Sequence, residues 1–181
     1  MKNLSLLLIF LAPLFVNAQD KLDSLENLIE NTSELEPKTN LRLEYVKELS
    51  LVNSAKALAE AKLIEATITE DNPGLLAHTY YFIGDLYTSR SIYDSAKIYC
   101  EKALSLAKQI EDPMLISNTL ITLGVVHDYL GIFDEALSYY LKALDIKSSL
   151  NDRSGQADIY NNIAILYNFE GKYDKAIEYF T

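Results

Sequence analysis

The sequence predicts an all-α fold, a solenoid of antiparallel helix-turn-helix units. Three observations carry this. Apolar residues recur at three- and four-residue spacing, and beyond residue 34 no stretch alternates in the manner of a strand. YYFIGDLYTSRSIYDSAKIYCEKAL (80–104) lies over LITLGVVHDYLGIFDEALSYYLKAL (120–144) and YNNIAILYNFEGKYDKAIEYFT (160–181) at a constant offset of 40, without a gap. The few glycines fall where the match needs turns or close contacts.

The elements follow in order. Residues 1–18, MKNLSLLLIFLAPLFVNA, combine Lys2, an apolar run from Leu4 to Val16, and Val16 and Ala18 placed as a small-residue cleavage signal. This predicts a signal peptide cut after Ala18 and an exported protein, periplasmic or secreted. The competing reading, an uncleaved anchor, meets a run that Pro13 interrupts and that is shorter than the roughly 20 residues needed to span a bilayer. Gln19 stands where a lipoprotein would need cysteine, and no apolar run of spanning length follows residue 18. Membrane attachment is therefore expected only if an anchor lies downstream.

Residues 19–37 predict an amphipathic lead-in helix, with Leu22, Leu25, Leu28 and Ile29 on one face and Pro37 as its stop. Residues 38–72 read as a degenerate first repeat, because NSAKALAEAKLIEA (53–66) echoes DSAKIYCEKALSLA (94–107) while its first helix, near 38–51, lacks the small residue. An unrelated helical hairpin is the alternative. Three repeats follow at 73–112, 113–152 and 153–181. In the first, Tyr80, Ile83, Gly84 and Tyr87 form one apolar stripe, with Gly84 (then Gly124 and Ala164) where a neighbouring backbone approaches. The second helix opens near Tyr93 and Asp94, and Gly131 and Gly171 before it suit a left-handed turn. Thr181 falls in mid-helix. Because terminal repeats need a polar cap, the chain is expected to be a truncated piece of a longer array.

This pattern, from Tyr80 through Ile83-Gly84 and Tyr87 to Ala96, Cys100 and Ala103 and then restated twice, resembles the tetratricopeptide repeat (TPR) family over about 75–181, which implies a right-handed α-solenoid. Two features depart from it. The period is 40 where the family's is about 34, and the proline that closes a unit is missing from its place.

Composition narrows the function. Removal of residues 1–18 takes Lys2 and no anion, moving the net charge from −10 to −11. That sign repels phosphate and anionic lipid, so nucleic acid is not an expected partner. Cys100 is the only cysteine, so no internal disulfide can form, and it shares a column with Tyr140 and Phe180, as a small core side chain would. The sequence Asn31-Thr32-Ser33 fits a glycosylation sequon, which matters only in a eukaryotic secretory pathway.

His127 beside Asp128 looks like half of a catalytic site. His127, however, occupies the column of Tyr87 and Tyr167, and adjacent helix residues do not face one another, so a packing role is expected. His78 lies in another column with no HExxH-like partner, so no metal or other cofactor is predicted. No acid, base and nucleophile converge, so an enzyme is not expected. The thirteen tyrosines fall mostly at core periodicity, and the acidic charge argues against a base-stacking platform.

The remaining face of the first helices carries His78, Tyr81, Asp85 and Thr88, then Asn118, Ile121, Val125 and Asp128, then Asp158, Asn161, Ile165 and Asn168. The family resemblance implies that these twelve residues line a concave groove that binds a protein or peptide segment. It also implies that a grip on a terminal carboxylate would need lysine and arginine there. None occurs in 75–89, 114–130 or 156–170, so a neutral or basic ligand is expected. Tyr81 is the expected anchor, with Asp85, Asp128 and Asp158 setting charge preference. The alternative function, by resemblance of the signal peptide and long repeats, is the extracytoplasmic sensor part of a membrane histidine kinase or transcriptional regulator whose other domains lie outside this chain.

Overall fold

The computed structural model describes residues 19–69 and 71–180, so the expected signal peptide lies outside the described residues. The described residues divide into two compact units, 19–69 and 71–180. The described residues are all-α, a TPR-like solenoid architecture of consecutive helical hairpins.

The first unit holds α1 (19–31), α2 (Leu35–Val52) and α3 (Ser54–Glu65). Leu22 and Leu25 of α1 are buried, as are Leu43, Val46 and Leu49 of α2 and Ala57, Ala61 and Ile64 of α3. Polar contacts bind the helices further. Lys21 reaches Glu48 at 2.7 Å, and Arg42 pairs with Glu60 at 2.8 Å. Tyr45 donates to Glu26 at 2.6 Å, and that carboxylate holds its phenol up at about 12. Asn53 alone separates α2 from α3, its side chain accepting from the Lys56 N–H at 3.0 Å.

Two expectations are corrected here. Pro37 does not stop a helix: α1 ends at residue 31, and Pro37 lies in the first turn of α2. A proline there loses nothing, because first-turn N–H groups have no intrahelical acceptor. Leu28 points to solvent, half exposed, so the buried stripe of α1 rests on Leu22 and Leu25.

The second unit is a regular stack: α4 (Pro73–Ser89) with α5 (Tyr93–Gln109), α6 (Pro113–Tyr129) with α7 (Phe133–Ser149), and α8 (Arg153–Phe169) with α9 (Tyr173–Phe180). The first helices begin forty residues apart because Asn72, Asp112 and Asp152 cap them, accepting from Leu75, Leu115 and Gly155 N–H at 3.1, 2.9 and 2.9 Å.

Every turn in this unit uses one device. At 127–132, Ile132 N–H returns to His127 O at 2.8 Å and Gly131 N–H to Asp128 O at 2.9 Å, the paired bonds of a Schellman motif. The same pair recurs at 87–92, 107–112, 147–152 and 167–172. The residue required in the left-handed region is Gly at 131 and 171 (φ 74° each) but Ser91, Glu111 and Asn151 elsewhere (φ 57°, 54° and 55°).

The two helices of a unit meet at the small column. A Cβ on Gly84 would lie 2.5 Å from Cys100 Sγ and 3.2 Å from its backbone N, and one on Gly124 would lie 2.5 Å from the Tyr140 ring. Ala164, buried, takes the third place. Leu120, Ala136, Tyr140, Ala143, Ile159, Ile163, Leu166 and Ala176 then form one continuous core across the last two hairpins.

Candidate functional site

The outer rows of the stack account for the titratable and aromatic residues that first suggest chemistry. Tyr87 pairs with Tyr99, His127 with Tyr139 and Tyr167 with Tyr179, at centroid distances of 5.7, 5.0 and 5.7 Å. His127 therefore fills an aromatic slot. It is almost wholly buried, and its Nδ1 lies 2.8 Å from Leu123 O, a carbonyl that can only accept, so Nδ1 carries hydrogen and donates. Nε2 faces Glu135 on α7 at 3.2 Å. Asp128 is not its partner.

The recurrent lysines find their place in the same rows. Lys102 Nζ lies over the Tyr99 ring at 5.1 Å, and Lys142 over Tyr139 at 5.7 Å. Cys100 is buried against Gly84, and burial pushes its thiol up to about 12, so it is a packing residue rather than a thiolate nucleophile. Among the described residues, no three His, Cys, Asp or Glu side chains are grouped to hold a metal, and no helix is long and apolar enough to cross a membrane.

On the opposite face of the first helices, α4 and α6 line an open pocket of about 190 Å³. Six of the twelve candidate groove residues line it: Tyr81, Asp85 and Thr88 from α4, and Asn118, Ile121 and Val125 from α6. Thr122 also lines the pocket, and sequence reasoning omits it. It lies one residue beyond Ile121, toward the buried side of α6, and becomes a wall only when α4 is set beside it.

The other candidates are placed elsewhere. His78 turns toward Asp112, the cap of α6, with Nε2 3.6 Å from Oδ2. Asp158, Asn161, Ile165 and Asn168 stand exposed along α8. Asp128 is largely buried, and its Oδ1 has neither solvent nor a hydrogen-bond partner.

The pocket's polar groups are strongly shaped by their surroundings. Burial raises the Tyr81 phenol above its ordinary range, and the Asp85 charge adds to this, while a hydrogen-bonding contact with Thr122 opposes it. Asp85 is open to water at the pocket mouth, yet the walls crowd out much of its hydration and raise its carboxyl. Burial also raises the carboxyl of Asp128, helped by the negative charge of Glu170. The Thr88 hydroxyl donates to Gly84 O at 2.9 Å, and that of Thr122 to Asn118 O at 3.3 Å.

Comparison with known proteins agrees with this architecture. The family model described as "Tetratricopeptide repeat" matches residues 75–149 and 115–181. Among solved structures, MamA is similar at 19% identity and TM-score 0.61, covering 93% of this chain and 87% of its own. BtubC from P. vanneervenii is similar at 18% identity and TM-score 0.69, covering 91% of this chain and 68% of its own. The TPR domain of Arabidopsis FLU matches at 23% identity and TM-score 0.56, covering 60% of this chain and 91% of its own. At these identities the likeness establishes the fold alone. No curated protein matches the sequence. Forty-residue register, small-residue seams, stacked hairpins and the family match over 75–181 together place this chain in the tetratricopeptide repeat family.

Proposed function

We propose that this protein is an exported, non-catalytic scaffold that binds a segment of another protein along the groove face of its first helices. The observation that carries the reading is the pocket between α4 and α6, where an aromatic ring, two apolar walls and a carboxylate converge on the face that packing leaves free. A concave site with a few convergent polar groups is the usual form of a binding site. Tyr81 is the anchor, since a half-buried tyrosine offers a large rigid surface with a polar tip. The segment is neutral or basic, because first-helix residues 75–89, 114–130 and 156–170 supply no lysine or arginine.

The test is selection of displayed random peptides on the immobilised protein, repeated on Tyr81→Ala and on Ile121→Asp. Enrichment that both substitutions abolish supports the groove. Enrichment that survives both would remove it. Export has its own check: expression in a bacterial host with a secretion pathway should yield a periplasmic or secreted protein whose N-terminus is Gln19. Retention of Met1 in the cytoplasm would contradict it.

A further inference from the structure

Resting on the groove assignment above, we propose that the pocket between α4 and α6 holds one arginine side chain of the bound polypeptide, its guanidinium set against Asp85. The hydrogen-bond inventory points this way. The Thr88 hydroxyl has committed its hydrogen to Gly84 O, so toward the pocket its oxygen can only accept. An ionised Asp85 is likewise acceptor-only. Burial raises its carboxyl, an effect that a cation set against it would oppose. Tyr81 and Asn118 can both donate and accept, and the one charge on the lining is the Asp85 carboxylate, so the pocket is complementary to a cationic donor.

Size and shape narrow the class further. A cavity of about 150 Å³ takes a benzene ring, so the 190 Å³ here is room for one side chain. Ile121 and Val125 give the wall that an aliphatic stem requires. A planar five-donor fork can reach several separated acceptors and lie against the Tyr81 ring, which a compact ammonium cannot do at once. The absence of lysine and arginine from residues 75–89 and 114–130 leaves no internal cation on either wall to compete.

The test titrates the isotopically labelled protein with N-acetyl-arginine methylamide and with its neutral isostere, N-acetyl-citrulline methylamide, following backbone amide shifts. Saturable shifts are expected in α4 and α6 around Asp85, with the arginine probe binding about tenfold or more tightly than citrulline. Asp85→Asn should erase that preference, and added sodium chloride should weaken the arginine probe alone, which repeats the contrast on the unaltered protein. Equal binding of both probes in the pocket overturns the arginine assignment and leaves the groove intact. Saturation elsewhere, or none, overturns the assignment also. The groove itself falls only if displayed peptides also ignore Tyr81→Ala and Ile121→Asp.

Discussion

The seam between the two helices of each hairpin and the groove face of the first helices differ in how strictly they repeat. On the seam, Gly84, Gly124 and Ala164 hold one column, the aromatic pairs 87–99, 127–139 and 167–179 a second, and Ala96, Ala136 and Ala176 a third. On the groove, the equivalent positions are Tyr81, Ile121 and Asn161, or Asp85, Val125 and Ile165, which share little beyond their place. Close packing explains the difference, since a seam position has neighbours within van der Waals range and a groove position has room. Repetition in this molecule therefore records packing, and departure from repetition marks where a ligand can be distinguished.

The seam side of that comparison should give the largest effects. Tyr140→Ala removes a buried ring opposite Gly124 and should cost about 3–5 kcal/mol, read by denaturant unfolding. Gly84→Ala should cost about 1–3 kcal/mol, because the new Cβ meets both a sulfur and a backbone nitrogen that cannot retreat. The comparison is Gly84→Ala against Ala164→Gly at the same column, which loses helix propensity and one buried methyl, about 1–2 kcal/mol, and strains no neighbour. A Gly84→Ala variant as stable as the unaltered protein, or more so, would contradict the steric account of the seam.

The turns sharpen the comparison at smaller scale. Ser91 holds a left-handed conformation that Gly131 and Gly171 adopt without strain. Ser91→Gly should therefore stabilise the protein, and Gly131→Ala should destabilise it by about 1 kcal/mol, both seen as shifts of the thermal midpoint.

The smallest effect is at Asp128, which lies outside the pocket. The folded state raises the Asp128 carboxyl, so its favourable contribution is complete below the unfolded aspartate range and is lost as pH rises through the folded value. Asp128→Asn should raise the midpoint at neutral pH and flatten its decline across that window. A lower midpoint at pH 7 would show that Asp128 has a stabilising partner. Asp152, by contrast, is held low by the Gly155 N–H and by Lys147. Its stabilising contribution should be present above the ordinary aspartate range and disappear as pH falls below it.

Much of this is legible in the sequence because seam columns are constrained at every repeat and so match at a fixed offset. The groove face follows by subtraction, and six of its twelve residues meet at one pocket. What is not legible depends on a second helix whose position no single-helix pattern gives. Thr122 becomes a pocket wall only beside α4, and Glu135 reaches His127 only across the hairpin. Pro37 misleads for a different reason, since proline suits a first helical turn as well as it ends a helix.

The most direct test of the account compares the two faces in one binding measurement. A peptide selected on the unaltered protein is titrated against Tyr81→Ala and Asp85→Asn in the groove, and against Ile98→Ser and Leu141→Ser, which remove exposed apolar side chains from the second helices. The account predicts a loss of affinity of about tenfold or more for each groove variant and no change for the other two. Loss confined to Ile98→Ser and Leu141→Ser, with the groove variants unaffected, would contradict it.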